Sequence, residues 1–452
     1  MCMKAEKATV AVIGSGGREH ALVKAYANSP CVGRVLVFPG NDFMKTRSSI
    51  PVVPYQAFTT RSVAQIAAEC IKQSVVLVDV AQDDAVEAGL ANATRRAGIA
   101  TVGPSKEAGQ IEWDKNWSRE LMNRAGILQP AFKTFSTLED GKQYVEEFFA
   151  SNPGKKVFVK AAGLALGKGA QPGETKEEAL QSIDVVQQYG NEYLVEEWIE
   201  GDGGQPGEEF SAFAYCDGEH WQLVGYAQDH KRAFDGDKGP NTGGMGCVSN
   251  PLVIDERIDT QTKANFDRIF AQLKSEGRPY QGVLYFGGMV VKQDGQPKVY
   301  AVECNARWGD PEAEVIVPSI ATDFFKLNMA VAQGRLNEIN IQTDGLTRVS
   351  IAGAAEGYPG KAVRDTDIIG LDIHDENVTI YGAGIRRGSN GWCANGGRLF
   401  HVVGKGRNVH DARTQAYAAM EKIQFQGFFR RDIGWRDVQR LTEQGLVGVA
   451  QN

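Results

Sequence analysis

The N-terminal part of the chain alternates short, continuously apolar runs with longer stretches of mixed polarity. This pattern predicts buried strands and intervening helices, at Ala8–Ile13 (strand), Ala21–Ala27 (helix), Val35–Phe38 and Val75–Val78 (strands), Ala85–Ala97 (helix) and Ile99–Val102 (strand). Strands that alternate with helices predict a doubly wound parallel sheet, and residues 14–20 read as a turn within it. Gly103-Pro104-Ser105 is typical of a turn and ends this pattern, so we place the first domain at residues 1–105.

A second pattern follows this boundary. Ser105 is positioned to cap one long helix over Glu107–Arg124. Further along, Ser136 with Glu139 and Thr175 with Glu178 have the spacing of capping boxes that open two more helices, on either side of a strand at Lys156–Lys160. These elements predict a small α+β unit, and we expect a mobile lid at about residues 130–197.

The remainder of the chain is rich in strands. Strands dominate between Tyr193 and Val302, interrupted by a loop at Asp229–Gly246 and a helix at Asp255–Gly277. We assign residues 106–334 to the second domain and 335–452 to a β-rich third domain. That last domain is predicted to end with a helix at Asp411–Ile423 and a basic Arg430–Arg431 tail.

The composition and net charge of the chain exclude several classes of function. With 452 residues, 42% hydrophobic and 23% charged, the chain has the composition of a soluble multidomain protein, and its 52 glycines favour many tight backbone loops. A net charge of -7 without a basic block argues against a nucleic-acid surface, and no apolar run approaches the ~18 residues of a membrane span. Seven scattered cysteines without a CxxC pair indicate neither a disulfide framework nor a zinc site. We therefore expect a cytoplasmic protein, a monomer or weak oligomer, that binds small anions.

Two glycine-rich segments are candidates for phosphate binding. Gly14-Ser15-Gly16-Gly17-Arg18 follows a strand and opens a helix, where backbone amides and the helix dipole favour an anion, although a plain tight turn would also use glycine. The second segment places Lys160 at a strand end and Lys168 inside a loop with Gly163, Gly167 and Gly169. Mobile amides with two ammonium groups suit a polyphosphate, and a solvated surface loop is the alternative.

Three further motifs carry polar groups. Glu303, Asn305 and Arg307 follow one strand at alternate positions, so a carboxylate, an amide oxygen and a guanidinium share one side. Two oxygen donors beside a cation suit Mg²⁺ and an anion, with a structural ion-pair cluster as the alternative. One of the carboxylates at 196, 197 and 209 could accept hydrogen bonds from ribose hydroxyls. The segments 228–232 and 239–246 lie in a long loop for which a purely structural role is hard to justify, and a plain surface loop is the alternative.

The order of these motifs resembles that of the phosphoribosylamine-glycine ligases, or glycinamide ribonucleotide synthetases, within the ATP-grasp superfamily. The motifs that carry the resemblance are GSGGREHAL, PGN at 39–41, GPSK at 103–106, KAxGLxxGKG, VEExIxG, QDHKR, GPNTGGMG, ExNxRxGDPE, GYPG at 357–360, GGR at 396–398 and RRDIG at 430–434. They span nearly the whole chain. The resemblance implies a preATP-grasp domain, an ATP-grasp core with a mobile lid, and a barrel-like C-terminal domain.

The resemblance also implies the reaction, in which ATP phosphorylates the carboxylate of glycine and the amine of 5-phosphoribosylamine attacks the glycyl phosphate. It assigns Mg²⁺ or Mn²⁺ to Glu303 and Asn305, and catalytic roles at the glycine to Arg307, Asp229 and Lys231. The ATP-binding residues it implies are Lys115, Lys160, Gly167, Lys168, Gly169, Glu196, Trp198 and Glu209. The substrate-binding residues it implies are Gly16, Gly17, Arg18, Asn41, Asn241, Gly243, Gly244 and Gly246.

The chain departs from the family pattern on the side of the amine substrate. Ala162 stands where the family usually has Asp, Trp308 replaces a usual Phe, and residues 203–206 lengthen one turn. Residues 78–85 replace a segment that normally lines the phosphoribosylamine site. Two alternatives therefore stay open: a ligase of this family that joins another amino acid or amine, and a catalytically silent nucleotide-binding paralogue.

Overall fold

The N-terminal region is a doubly wound parallel sheet, as predicted. The computed structural model describes residues 7–165 and 169–446. The elements of this region are β1 (Ala8–Gly14), α1 (Gly17–Ala27), β2 (Val32–Pro39), β3 (Val52–Pro54), α2 (Val63–Lys72), β4 (Val75–Val80), α3 (Asp83–Glu87), α4 (Leu90–Arg96) and β5 (Ala100–Val102). The strand order is β3-β2-β1-β4-β5, all parallel. The order changes direction beside β1, and in such sheets ligands bind in the crevice at the carboxyl ends of the strands.

Two predicted helices are each broken in two. The helix predicted over 85–97 is interrupted at Gly89, whose φ of 80° is left-handed and therefore stops regular helix geometry. The helix predicted over 107–124 divides into α5 (Lys106–Trp113) and α6 (Lys115–Arg124). Asp114 is extended between them, and its carboxylate accepts a hydrogen bond from the Trp117 amide at 3.0 Å. Aspartate is a better N-cap than helix-interior residue, so the break is local chemistry that periodicity alone missed.

A small antiparallel sheet with its own core follows. Its elements are β6 (Phe132–Phe135), α7 (Leu138–Ser151), β7 (Val157–Ala161), β8 (Ala170–Gly173), α8 (Lys176–Val186) and β9 (Tyr193–Glu197), with the strand order β6-β9-β7-β8. Val145, Ile183 and Tyr193 belong to a buried cluster confined to this unit. The capping box of Thr175 and Glu178 is confirmed, whereas α7 is capped by Thr137 and not by Ser136.

The described chain from residue 208 onward contains one large sheet, a two-stranded hairpin and a three-stranded sheet. The first part of this region comprises β10 (Glu208–Asp217), β11 (Trp221–Asp229), β12 (Arg232–Phe234), β13 (Lys238–Asn241), β14 (Gly246–Ser249), α9 (Glu256–Ser275), β15 (Gln281–Gln293), β16 (Gln296–Asn305), α10 (Ala313–Ile316) and α11 (Phe324–Ala332). The C-terminal part comprises β17 (Thr347–Ala355), β18 (Asp367–Ile368), β19 (Val378–Gly382), β20 (Ile385–Arg387), β21 (Trp392–Ala394), β22 (Arg398–Gly406), α12 (Val409–Met420), β23 (Gly427–Phe428) and α13 (Trp435–Glu443).

The C-terminal third is β-rich, as predicted, and it continues the central sheet. Nine strands are ordered β16-β15-β10-β11-β14-β17-β22-β19, with β23 paired to β17. The junction is the antiparallel pair β14·β17, where Gly246 approaches so closely that a Cβ on it would lie 2.5 Å from the Ser350 carbonyl oxygen. Four strands of the predicted barrel-like domain, β17, β19, β22 and β23, therefore extend a sheet that the preceding region begins.

Two smaller predictions are wrong. The loop predicted over 229–246 contains the hairpin β12·β13, and the predicted basic tail is not a tail. Arg430 is buried, and its guanidinium contacts the carboxylates of Asp237 at 2.9 Å and Asp432 at 2.8 Å. The C-terminal third is thereby pinned to the β12·β13 hairpin. In the described ranges, no helix combines the length and apolarity needed to cross a bilayer.

Candidate active site

Four cationic side chains from four different elements surround Glu303. Lys115 opens α6, Lys160 lies near the end of β7, Lys231 follows β11 and Arg307 follows β16. Burial raises the pKa of Glu303, but these four cations outweigh it and lower the pKa below its ordinary value. Residues separated by almost 200 positions thus create one strongly positive region around a carboxylate, which suits a polyphosphate with a metal ion.

Glu303 and Asn305 lie together at the end of β16, as their alternate positions predict. Their register partners on β15 are Gly287 and Tyr285. The Asn305 side-chain amide donates to Glu303 Oε1 at 3.4 Å, which leaves the Asn305 amide oxygen free of that contact. A carboxylate and an amide oxygen side by side form a donor set that suits Mg²⁺ or Mn²⁺.

Arg307 is bound by a carboxylate that the sequence does not predict. Its Nη2 lies 2.8 Å from Glu112 Oε1, and its Nη1 donates to the Trp308 carbonyl at 3.0 Å. Glu112 is buried on α5, and its other oxygen accepts the Ala306 amide at 2.8 Å. Burial raises the pKa of Glu112 to about 7, although Arg307 opposes this. Arg307 Nε has no hydrogen-bond partner among the described residues, so one donor remains for a ligand.

Glu196 lies between two cations. Arg119 Nε contacts its Oε1 and Lys160 Nζ contacts its Oε2, both at 2.6 Å. Burial opposes ionisation, but the two cations lower the pKa of Glu196 to about 2. The sequence predicts Glu196 at the adenine and Lys160 at the phosphates; here the two side chains bind each other directly, and Arg119 on α6, which the sequence does not single out, binds the second oxygen of Glu196.

The other predicted ATP-binding residues line the same cleft. Lys115 Nζ donates to the Gly163 carbonyl at 2.9 Å, and Trp198 stacks on Phe158 with ring centroids 4.4 Å apart. Glu209 is exposed, with its carboxylate 2.5 Å from Lys231 Nζ. Gly169 accepts a hydrogen bond from the Ala161 amide, whereas Gly167 and Lys168 lie outside the described residues.

A pocket brings several predicted residues together. It is lined by Glu209, Phe210, Ser211, Asp229, Lys231, Gly287, Gly288, Val302 and Glu303. Asp229 Oδ1 is buried and accepts no hydrogen bond within the described part of the chain. Burial and nearby Glu312 raise the pKa of Asp229 well above its ordinary value. Glu312, which the sequence analysis left without a role, accepts a hydrogen bond from Ser211 at 3.1 Å.

The glycine-rich loop at 243–246 is held by an arginine from the C-terminal third. Arg398 Nη1 donates to the carbonyls of Gly243 at 2.7 Å, Gly244 at 3.1 Å and Asp310 at 2.8 Å. A Cβ on Gly244, whose φ is 112°, would lie 2.6 Å from Asp229 Oδ1, so only glycine lets this backbone approach the carboxylate. Among the other predicted residues of this segment, Gly246 packs in the β14·β17 junction and Asn241 is exposed on β13.

The predicted phosphate loop after β1 is already occupied by an acid. Glu19 Oε2 accepts the Gly16 amide at 2.7 Å, and Glu19 Oε1 contacts Arg18 Nε at 2.5 Å. Arg18 is buried and also donates to the Trp308 carbonyl at 3.0 Å. Helix α1 begins at Gly17, earlier than predicted, so Glu19 lies in its first turn and caps it. In this structure Arg18 therefore points toward the segment after β16 and not to an open anion site.

Asn41 connects the N-terminal and C-terminal regions. Its Nδ2 donates to the Ser15 carbonyl at 2.7 Å and to Gly382 and Ala383 at 3.3 Å, while its Oδ1 accepts the Phe43 amide at 3.0 Å. The polar atoms of this predicted substrate-binding side chain are thus occupied by the chain's own backbone.

The divergent segment at 78–85 lies at the crevice of the parallel sheet. A Cβ on Gly14 would lie 2.8 Å from Gln82 Cγ, which places this segment against the loop after β1. Asp79 is buried and accepts a hydrogen bond from Tyr26 at 2.8 Å; burial raises its pKa to about 7. Asp83, in the same segment, contributes to the raised pKa of Glu112.

Comparison with known proteins assigns all three regions to one family. Models described as Phosphoribosylglycinamide synthetase match with the N domain over residues 8–112, the ATP-grasp (A) domain over 113–313 and the C domain over 348–436. The predicted boundaries near 105 and 334 stay predictions.

Similar proteins include the phosphoribosylamine–glycine ligase of Streptococcus pneumoniae, 34% identical over 95% of this chain and 99% of that protein. The chloroplastic ligase of Arabidopsis thaliana is 36% identical over 97% of this chain and 85% of that protein. The crystal structure of the Thermotoga maritima ligase has a TM-score of 0.77 at 30% identity and covers 94% of this chain and 100% of that one. A biotin carboxylase domain from Hydrogenobacter thermophilus has a TM-score of 0.72 at 15% identity over 98% and 99%, and shares the fold.

Proposed function

The chain belongs to the phosphoribosylglycinamide synthetase family, and we propose that it joins glycine to 5-phosphoribosylamine at the expense of ATP. The products are glycinamide ribonucleotide, ADP and phosphate, a step of purine biosynthesis. The observation that carries this proposal is the convergence of Lys115, Lys160, Lys231 and Arg307 on Glu303. The presence of Lys160, Glu303, Asn305 and Arg307 together argues against a catalytically silent nucleotide-binding paralogue.

ATP binds in the cleft between the small sheet and the large one. Lys115 and Lys160 neutralise its phosphates, and Lys160 exchanges its present partner Glu196 for a phosphate oxygen when ATP arrives. Arg119 stays with Glu196, so that carboxylate keeps one counter-ion after the exchange. The strand β9 and Trp198 border the adenine.

Glu303 and Asn305 hold a divalent cation, Mg²⁺ or Mn²⁺. The two oxygen-bearing side chains lie side by side, and the cations around Glu303 keep its carboxylate ionised and ready to bind metal. When bound, such an ion neutralises charge that develops on the β- and γ-phosphates.

Glycine occupies the pocket beside these residues. Arg307 binds its carboxylate, and Asp229, whose Oδ1 lacks a partner among the described residues, accepts a hydrogen bond from its ammonium group. A carboxylate oxygen of glycine attacks the γ-phosphorus of ATP, ADP leaves, and glycyl phosphate forms. Lys231 stabilises the negative charge of that acyl phosphate, whereas the amides of Gly243 and Gly244 donate to Tyr358 and Thr242 in this structure.

The amine substrate approaches from the crevice of the N-terminal sheet. The nitrogen of 5-phosphoribosylamine attacks the acyl carbon, phosphate leaves, and the nitrogen loses a proton. Phosphate is a far better leaving group than a carboxylate oxygen, which is why the reaction requires ATP. Because the divergent segment 78–85 lies against the loop after β1 at this crevice, a changed amine substrate would be selected here.

A substrate-omission assay tests the proposal. ADP release is measured with ATP and Mg²⁺ while glycine, 5-phosphoribosylamine, or both are omitted, and the nucleotide product is identified by mass spectrometry. We expect ADP and glycinamide ribonucleotide only in the complete mixture. ADP formed with a different amino acid or amine would support a ligase of altered specificity, and nucleotide binding without any ADP would support the silent paralogue.

A further inference from the structure

A buried group of one histidine and two acids lies next to Gly17 and Arg398 and shares no residue with the Glu303 and Asn305 pair. Asp310, Glu314 and His401 each offer one ligand atom, and these atoms lie within 4.8 Å of one another. His401 Nε2 is 3.6 Å from Asp310 Oδ1 and 3.7 Å from Glu314 Oε1. The side chains of Glu314 and His401 are fully buried, whereas that of Asp310 is 16% exposed.

Three polar atoms of Glu314 and His401 lack a hydrogen-bond partner among the described residues. Both carboxylate oxygens of Glu314 and the Nε2 of His401 are buried without a hydrogen-bond partner in residues 7–165 and 169–446. Buried polar groups nearly always have a partner, because desolvating them without one is costly. The separations of 3.6 and 3.7 Å are too long for hydrogen bonds but match two ligands of a single ion bound at ~2.0–2.2 Å.

The charge balance also leaves room for a cation. Arg398 Nη2 lies 3.0 Å from Asp310 Oδ1 and compensates that carboxylate. Within the described ranges, the only ion-pair contact of Glu314 is with His401. Arg18 also acts on Asp310 but is paired with Glu19, so three carboxylates face two arginines. Burial raises the pKa of Glu314, and a divalent cation would take the place of the proton that neutralises this carboxylate.

The histidine is oriented for ligation. Ser350 Oγ lies 3.4 Å from His401 Nδ1 and can accept a hydrogen bond from it. That tautomer turns the lone pair of Nε2 toward the two acids, and a second-shell partner of this kind is typical of metal-binding histidines. Asp310, partly exposed, provides the side from which an ion can enter.

We propose that Asp310, Glu314 and His401 bind a divalent transition-metal ion of the Zn²⁺ type, at a site separate from Glu303 and Asn305. An imidazole nitrogen with two carboxylates favours Zn²⁺, Co²⁺ or Mn²⁺ over Mg²⁺. The site lies under the start of α1, since a Cβ on Gly17 would be 2.3 Å from Glu314 Oε1. The ion would tie together the segment after β16, helix α10 and strand β22.

Metal content tests this site without any measurement of turnover. The full-length protein is stripped with a chelator and dialysed against Zn²⁺ in excess Mg²⁺, and bound zinc is measured by mass spectrometry. We expect one zinc ion per chain, and a loss of affinity of at least roughly tenfold in Glu314→Gln and in His401→Asn. His220→Ala is the matched control, because this more exposed histidine lies 3.3 Å from Asp217 and represents adventitious binding. Glu303→Gln should also retain the zinc.

Two results would overturn the proposal: wild-type protein that retains no zinc, or variants that bind zinc as tightly as wild type. Should the variants fail to fold, wild-type protein still decides the matter through its thermal transition and its Co²⁺ spectrum. Zn²⁺ should raise the transition temperature, and Co²⁺ should give the absorption bands of a nitrogen- and oxygen-ligated ion. Absence of both effects would contradict a metal site here.

Discussion

At the scale of single residues, Arg307 has two potential carboxylate partners: Glu112 at 2.8 Å and the carboxylate of glycine. Arg307→Lys keeps the charge but loses the planar group that can grip two carboxylates at once. We expect kcat/KM for glycine to fall by roughly tenfold to a hundredfold, with the value for ATP moving far less. Steady-state titration of each substrate in turn measures this.

The variant Glu112→Gln, measured in the same experiment, distinguishes the binding of glycine by Arg307 from the positioning of Arg307 by Glu112. It removes the charge that holds Arg307 but leaves the guanidinium in place, so its effect on glycine should be smaller than that of Arg307→Lys. If both variants impaired ATP and glycine equally, Arg307 would be an element of structure and not a ligand of glycine.

Asp79 predicts a pH dependence of stability. Its pKa of about 7 in the folded protein lies above its ordinary 3.8, so between these values the folded state holds a proton that the unfolded state has released. The proton on Asp79 thereby stabilises the folded state. This stabilisation is fully present below pH 3.8 and is lost as the pH rises through about 7. Asp79→Asn mimics the neutral side chain and can still accept the hydrogen bond of Tyr26.

We therefore expect Asp79→Asn to gain stability over wild type as pH rises from 5 to 8, by ~2–4 kcal/mol at most. Urea unfolding at several pH values measures the difference. Asp372→Asn, at an exposed turn, is the control and should show no such trend. A constant difference between Asp79→Asn and wild type at all pH values would contradict the raised pKa.

At the scale of elements, the four-stranded sheet β6-β9-β7-β8 behaves as a unit because it has its own hydrophobic core. Its polar contacts with the rest of the site include Lys115 with Gly163 and Arg119 with Glu196. A unit with a separate core can move against its neighbour while its own packing stays intact. This supports the prediction that it closes over ATP as a lid.

Hydrogen exchange followed by mass spectrometry tests lid closure. With ATP and Mg²⁺ present, exchange should slow in β7, in β8 and in the segment between them, because backbone amides there would bind phosphate oxygens. Helix α12, which packs on the C-terminal strands, should exchange at an unchanged rate. Equal exchange of the lid with and without nucleotide would mean that the segment is ordinary surface.

Helix breaks at this scale have functional consequences. The break at Asp114 starts a new helix at Lys115, and α6 then carries both Lys115 and Arg119 into the site. A single uninterrupted helix over 107–124, as the periodicity predicts, could not turn the chain at Asp114, whose ψ is 94°. One capping residue therefore sets the direction in which two cations point.

At the scale of the whole molecule, the active site depends on contacts between distant thirds of the chain. Arg398, at the start of β22, holds the backbone of 243, 244 and 310. Arg398→Ala should raise KM for glycine and the amine substrate by roughly tenfold or more, while KM for ATP changes little. Such a split is expected of a positioning residue, since Lys115 and Lys160, the residues proposed for the ATP phosphates, lie on other elements.

Arg386→Ala is the matched control for this variant. Arg386 is an exposed arginine of the same third, with its guanidinium 2.7 Å from Asp365, and its loss should leave all three KM values unchanged. If Arg398→Ala shifted KM for ATP as much as KM for glycine, the C-terminal third would affect the site by general destabilisation instead.

The amino-acid sequence alone was enough to determine those features of the protein that depend only on residues close together along the chain. Apolar runs and glycine positions determined the parallel sheet after residue 7, and alternation along β16 placed Glu303 beside Asn305. The capping box at Thr175 and Glu178 likewise needs only neighbours in sequence. Side-chain period and turn chemistry are properties of a few adjacent residues, so a sequence carries them explicitly.

Only the tertiary structure decided which charges meet. Arg119 with Glu196, Glu112 with Arg307, and Glu314 with His401 are separated by 77 to 195 positions, and no spacing rule relates them. The occupation of the Gly16 amide by Glu19, and the union of the C-terminal strands with the central sheet, were equally invisible beforehand. Buried charges choose partners by the distances that folding creates, because desolvation penalises every charge left alone.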